Sequence, residues 1–418
     1  GFHYDRMVRP MNECLVPEQE QPIRRAKLTT APILLSAPLV VFLAVFFFAP
    51  LAVMLSYSVR NSEVPSVLPH LSKAIATWDG RGLPPDSVFS ALALDLRSNN
   101  DSMALGEAAR RLDFEAPGYR ALLFKTARRL QAERTSTVSR DELTNIDARW
   151  SNPRYWLALN RATARLTPAF FLAAFDLKMD DAGHIVRVED DRRVYLDTFL
   201  RTFQIAGTVT LLCLVIGYPI AFAITVLPRR LAAALTFSVI LPFWTSLLVR
   251  TSAWIVVLSK DGVVNSFLTR LGIISEPLQL IFNRMGLYIV MVHILLPFMV
   301  LPIRSVMNGI SPNYMKASAS LGAHPCLGFF KVYLPLTLPG VGAGCLMTFI
   351  IAIGYYITPA LVGGAGDNMI SFFIAFHTNS VINWGMAAAL GVVLLSAVLL
   401  IFGTFGRLLG FSRIVALK

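Results

Sequence analysis

Apolar residues fall into long blocks along this chain. Runs at about 33–57, 202–227, 233–257, 285–306, 336–359 and 385–406 carry almost no charge. A helix needs about 20 residues to cross about 30 Å of hydrocarbon, so six spans are expected. Helices are the economical form, because lipid offers no hydrogen-bond partner to an open strand edge. Residues 60–197 have a different character: apolar positions recur at helical spacing opposite charge. "GYRALLFKTARRLQAE" sets Leu123, Ala127 and Leu130 on one face. Asn152 before Pro153, and Thr167 before Pro168, read as helix starts. The pattern predicts an all-α integral membrane protein of six transmembrane helices with a helical insertion between the first two. The expected divisions are a disordered polar tail over 1–30, a first span at 31–59, the insertion at 60–197, a five-helix core over 198–412 containing a loop at 305–335, and a C-terminal segment at 413–418.

Charge refines this picture. Of 26 Asp and Glu, 19 lie within 60–197, nearly balanced there by 20 Lys and Arg. Beyond Asp197 only Asp261, Glu276 and Asp367 remain, all between spans. Lys and Arg in short loops set orientation. Arg24, Arg25 and Lys27, then Arg229 and Arg230, then Arg304, Lys316 and Lys331, then Arg407, Arg413 and Lys418 occupy alternate loops. Both termini are therefore expected in the cytoplasm and the insertion outside, although Lys260 and Arg270 lie on the opposite side. The net charge of +12 is explained by topology, and no basic stripe interleaved with aromatics points to nucleic acid. The first block exceeds the apolar core of a signal peptide and reads as a retained anchor.

Catalytic constellations are missing from the sequence. The four cysteines (Cys14, Cys213, Cys326, Cys345) avoid the insertion, so no disulfide framework is implied. His324 with Cys326 falls short of a metal ligand set. Without a phosphate loop the chain has no ATPase motor of its own. No metal, cofactor or enzymatic activity is expected.

One polar loop stands out: "KASASLGAHPCLGFFKVYLPLTLPG", 316–340. Ser311 and Pro312 suit a helix start, Gly322 a left-handed stop, and Pro325 a block to continuation. The short helix between them sets Tyr314, Ser318 and Leu321 on one face, with Lys316 and Ala317 beside them. It is shaped for another protein's groove or for the headgroup layer.

The spacing Gly322, Val332, Leu334–Pro335 resembles the signature of the inner-membrane permease subunits of binding-protein-dependent ABC importers. Lys316 stands where that family usually has Glu, and Ser318 where it has Ala. "LLCLVIGYPIAF" (211–222), "LPFWTSLLVRTSAWIVVL" (241–258), "LPFMVLPI" (296–303) and "YYITPALVGG" (355–364) are similar to the spermidine/putrescine-type branch. The resemblance implies a type I importer permease fold in the bacterial inner membrane. The implied partners are a second permease, a cytoplasmic ATPase dimer and a periplasmic solute-binding protein. It further implies that Tyr314, Lys316, Ala317, Ser318, Leu321, Gly322, Leu334 and Pro335 couple this chain to the ATPases.

Polar groups inside spans are functional candidates. Arg250 either snorkels to the headgroups or lies on a translocation path walled by Phe243 and Trp244, with Pro242 permitting a kink. Tyr355, Tyr356 and Thr358 either pack or line a passage for an amine by cation–π contact. His293 reads as a helix-contact residue. With no acid in any span, the residues leave three possibilities: a polyamine-type solute served by acids of the partner permease, a polyamine held by aromatics, or an opine-like, amino-acid-like or other anionic solute. An ion-coupled secondary transporter is the rival class; it usually shows intramembrane acids and inverted repeats. The insertion is either a solvated cap or a platform for a soluble partner.

Overall fold

A computed structural model describes residues 30–99, 101–132, 138–180 and 182–408. The expected tail over 1–30, save Thr30, and the segment 413–418 lie outside the described residues. The chain divides into two units, one ending at Val53 and the other beginning at Met54.

The first unit carries the N-terminal apolar helix, Thr30–Leu43, a π turn at Ala44–Phe48 and the first residues of the helix Ala49–Ser56. The turn has a local cause. Pro50 has no N–H, and its ring crowds the carbonyl four residues back, so the helix widens and Ala49 N–H donates to Ala44 O, five residues back.

Within the second unit the insertion is a helical domain with an aromatic core. Helices Asp86–Ser98, Ser102–Glu115, Tyr119–Ala132, Arg140–Ile146 and Pro153–Thr163 surround Phe89, Tyr119, Trp150 and Trp156. Leu123, Ala127 and Leu130 are buried in that core. Each polar handle is satisfied, as buried Tyr and Trp require. Trp150 Nε1 donates to Thr126 Oγ1 (3.0 Å), Trp156 Nε1 to Trp150 O (2.8 Å), and Tyr119 Oη to Tyr155 O (2.7 Å). Asn152 caps its helix by accepting from Arg154 N–H, with Pro153 in the first turn. Thr167 Oγ1 accepts from Ala169 N–H at the start of Ala169–Ala174. A short antiparallel hairpin, Leu177–Met179 with Ile185–Arg187, departs from the all-helical expectation. Its turn is fixed by Gly183 at φ +87° and by Asp180, whose carboxylate accepts from His184 N–H at 2.7 Å.

Within the insertion's own base, Thr167 N–H donates to Val59 O (2.8 Å) and Asn61 N–H to Arg165 O (3.2 Å), pairing its entrance with the 165–167 segment. Two contacts fasten the insertion to the membrane core. Phe170 seats on Gly385, where no side chain would fit, in a cluster with Phe199, Ile370 and Met386. Asp176, left-handed at φ +53°, turns its carboxylate to the N–H groups of Val194, Tyr195 and Leu196. That carboxylate satisfies orphan donors and complements the dipole where the next helix begins.

The core is built on helices Tyr195–Val226, Arg284–Asn308 and Pro325–Gly354. They approach closely through small residues. A Cβ on Gly340 would lie 2.9 Å from Val306 Cβ; one on Gly344, 3.0 Å from Met299 O; one on Gly217, 3.1 Å from Met299 Cγ. The helix Trp384–Leu408 completes the long elements. The span expected at 233–257, with a kink permitted at Pro242, is two helical arms, Arg229–Trp244 and Leu247–Arg270, bent by 106°. Among the described residues five helices are long and apolar enough to cross a membrane, six if that bent pair counts as one.

Candidate functional site

The first candidate site is the hairpin after Asn308. The short helix runs Asn313–Ser320, with Pro312 at its cap position and Ser311 Oγ accepting from Asn313 N–H (3.4 Å). It stops as its glycine demands. Gly322 has φ +81°, its N–H donates to Ala319 O (2.9 Å), and Ala323 N–H reaches back to Ser318 O (3.1 Å). This is the Schellman pattern, with Gly322 in the left-handed position. His324 then caps the next helix by accepting from Cys326 N–H (3.4 Å), and Pro325 opens it. The ring at position 325 therefore both ends one helix and begins another.

Two expectations change here. Leu334 and Pro335 do not close a loop, because the helix already runs from Pro325 to Gly354. They sit just past a π turn, Phe329–Tyr333, in which Leu334 N–H donates to Phe329 O. The cause is the one met at Pro50: Pro335 cannot bond Lys331 O, and the turn widens before it. Nor does Ser318 share an outward face with Tyr314 and Leu321. A Cβ on Gly328 would lie 2.9 Å from Ser318 Oγ and 3.2 Å from Met315 Cε, so Met315 and Ser318 seat the short helix on the bare backbone of Gly328. Tyr314, Lys316, Ala317 and Leu321 remain exposed, Leu321 at 88%. Met315 and Gly328 were not singled out from sequence; the signal was a glycine one helical turn after Pro325, facing a thin helix.

The second candidate site is the 106° break. Leu241–Trp244 is a 3-10 turn, Thr245 is extended, and Ser246 caps the new helix by accepting from Val249 N–H (3.2 Å). Arg250 reaches back over the break. Its Nη2 donates to Pro242 O and to Thr245 O (2.8 Å), and its Nε to Thr245 Oγ1 (3.3 Å). Arg250 thus serves Thr245 O and adds a charged donor to Pro242 O, which also accepts from Thr245 N–H (3.4 Å) and Thr245 Oγ1 (3.0 Å). Phe243 lies edge-on to Phe298 at 5.0 Å, whereas Trp244 is 79% exposed. Thr358 is buried, its hydroxyl 3.5 Å from that of Thr251. Tyr355 and Tyr356 join the end of the 325–354 helix to Ile357–Val362, and Tyr355 lies within Coulombic range of Arg250. The structure thus brings Phe243, Arg250, Tyr355 and Thr358 into one region and leaves Trp244 on the outside. His293 accepts from Trp254 Nε1 at 3.1 Å, the helix contact expected of it.

Nearby, the glycine-rich turn closes on a buried acid. Asp367 accepts from Arg284 Nε (2.8 Å) and from Gly364 N–H (2.9 Å). Arg284 and Asp367 are 83 positions apart, a pairing that local sequence cannot announce. Among the described residues no cluster of His, Cys, Asp and Glu is arranged to hold a metal ion.

Residues 213–410 match the family model described as binding-protein-dependent transport system inner membrane component. Over 219 residues the chain is 35% identical to the spermidine/putrescine transport system permease protein PotB of Escherichia coli (strain K12), covering 52% of this chain and 80% of that one. It is 33% identical to the inner membrane ABC transporter permease protein YdcU of the same organism, over 52% of this chain and 73% of the other. Among solved structures, a bacterial alginate ABC transporter in complex with alginate pentasaccharide-bound periplasmic protein is similar at 19% identity and TM-score 0.42, over 51% of this chain and 80% of that chain.

Proposed function

The chain belongs to the family of binding-protein-dependent transport system inner membrane components, and we propose that its 313–335 segment couples solute passage to ATP hydrolysis by separate cytoplasmic subunits. The observation that carries this reading is the short helix itself. It is capped at both ends, held on Gly328 by Met315 and Ser318, and exposes Tyr314, Lys316 and Leu321. A helix so fixed and so bare has the shape a partner's groove requires. In this reading both termini and the hairpin face the cytoplasm, the insertion faces outward, and a second permease completes the path. The chain itself is non-catalytic.

The solute we infer is of polyamine type, supported by the similarity to spermidine/putrescine permeases. Phe243, Tyr355 and Thr358 are the path candidates. Arg250 acts there as a fastener of the break, because its Nε and Nη2 donate to carbonyl and hydroxyl oxygens of Pro242 and Thr245.

The test is co-purification with the neighbouring gene products, then ATPase assay with the soluble partner loaded with spermidine, putrescine or an anionic amino-acid derivative. Stimulation by a loaded polyamine partner supports the reading; stimulation only by an anionic load moves the solute, and no ATPase partner at all overturns the coupling. Cys326, exposed beside the hairpin, gives a direct readout in a Cys14→Ser background: bound ATPases should protect it from maleimide. Lys316→Glu should weaken assembly if Lys316 meets an acid, and reversing that acid should restore it.

A further inference from the structure

The insertion carries a feature that neither its core nor its anchors use. An open groove of about 1170 Å3 runs along the helix Tyr119–Ala132 and the C-terminal end of the helix Arg140–Ile146. Arg120, Lys125, Arg128 and Arg129 line it, against a single lining carboxylate, Asp113, with Phe124 on its floor. Asp113 is already spent on Arg120 N–H (3.0 Å). Lys125 is held by Asp147 at 3.0 Å, but among the described residues neither Arg120 nor Arg128 has an ion-pair partner.

The groove is also preformed. Asp147 accepts from Arg149 Nε and Nη2 (2.9 and 3.0 Å), and Arg149 Nη1 donates to Gly118 O (2.9 Å). One wall is thereby tied to the turn that opens the other. Such a basic cavity with an apolar floor is not needed for folding, since like charges gathered on one face destabilise it.

We propose that this groove docks a convex, acidic element of a soluble protein, and that in the importer this protein is the solute-binding partner. The identity of the partner rests on the reading above; the acidic chemistry does not. Concavity favours a protein element over a headgroup plane, which is flat on this scale. The volume accommodates about two turns of a helix 10–12 Å across. Clustered charge in a low-dielectric cleft steers association and raises on-rates.

The test uses the full chain in neutral detergent and a fluorescent poly-glutamate peptide, with poly-glutamine as control. Wild type should bind poly-glutamate and release it as salt rises, since exposed charges are screened within about 10 Å at 0.1 M. Arg120→Glu with Arg128→Glu should weaken binding by about tenfold while leaving the melting temperature unchanged. Arg120→Gln with Arg128→Gln should fall between. Displacement of the peptide by the soluble partner assigns the groove to it. Equal binding by wild type and variant, or none by wild type at low salt, overturns the proposal. So does arginine-dependent binding to phosphatidylglycerol vesicles without peptide binding. Loss of ATPase co-purification in wild type would sink the importer reading while leaving the peptide result intact.

Discussion

The insertion and the membrane core solve the packing problem in opposite ways. The insertion hides its largest side chains: Trp150, Trp156, Tyr119 and Phe89 are fully buried. The core hides its smallest, with Gly217, Gly340 and Gly344 in the seams, while Trp244, Leu248 and Val249 face outward. Water drives the first arrangement, because each large apolar side chain removed from it stabilises by about 1.5–3 kcal/mol. Lipid gives no such drive, so helices there associate by close backbone approach. Two solvents are written into one chain, and the boundary between the two packing styles falls at Phe170 on Gly385.

The sharpest way to break that contrast is at the boundary. Gly385→Leu should abolish a monodisperse peak in fluorescence-detected size exclusion, because the Phe170 ring occupies the site. Gly391→Leu, which meets open space, should be harmless. A folded Gly385→Leu protein would mean that the insertion is not anchored there. Next in size is Trp156→Ala, expected to cost the insertion about 3–5 kcal/mol. Limited proteolysis should then cut within 60–197 while the core fragment survives. Simultaneous loss of both would show that the two regions do not fold separately.

A smaller effect is expected at the break. Arg250→Ala strips the guanidinium from Thr245 O, while Pro242 O keeps Thr245 N–H and Oγ1, and an unsatisfied carbonyl costs about 1–3 kcal/mol. Thermal stability and transport should both fall. Arg250→Lys, with a single ammonium in place of the fork, should recover only part of the loss. Retained stability in Arg250→Ala would leave Arg250 to the solute.

The smallest effect is a pH dependence confined to the insertion. Hydrogen bonds from Arg149 first, and then Lys125, hold the Asp147 carboxyl well below its ordinary value. A depressed folded-state value means the stabilisation is complete above the unfolded value of about 3.9 and is lost as pH falls below it. Acid unfolding of the insertion, followed by tryptophan fluorescence, should therefore lose part of its slope in Asp147→Asn. An unchanged acid limb would show that the triad does not contribute.

How much of this was readable in the chain depends on the range of the interactions. Long apolar runs, the Asn152–Pro153 start and the Gly322 stop are local facts, and local chemistry decides them. The break at Thr245 was only half visible: Pro242 signals a kink, but the 106° turn also draws on Thr245 to serve Pro242 O and on Arg250 to serve Thr245 O. The hairpin at 177–187 is too short to show an alternating pattern. Met315, Gly328 and the Arg284–Asp367 pair depend on elements far apart or newly folded back, where sequence spacing carries no distance.

The helix that starts at Pro325 continues for 30 residues, about 45 Å at 1.5 Å per residue. Held upright, it overshoots about 30 Å of hydrocarbon by about 15 Å. The short helix is seated on that overhang, at Gly328, and Tyr355 stands at the far end. Under the proposed coupling, a push on the overhang would act at the end of a lever arm whose opposite end is Tyr355. The π turn at 329–333 and Pro339 are the points where that arm departs from regular helix, so their compliance would set how much of such a stroke arrives.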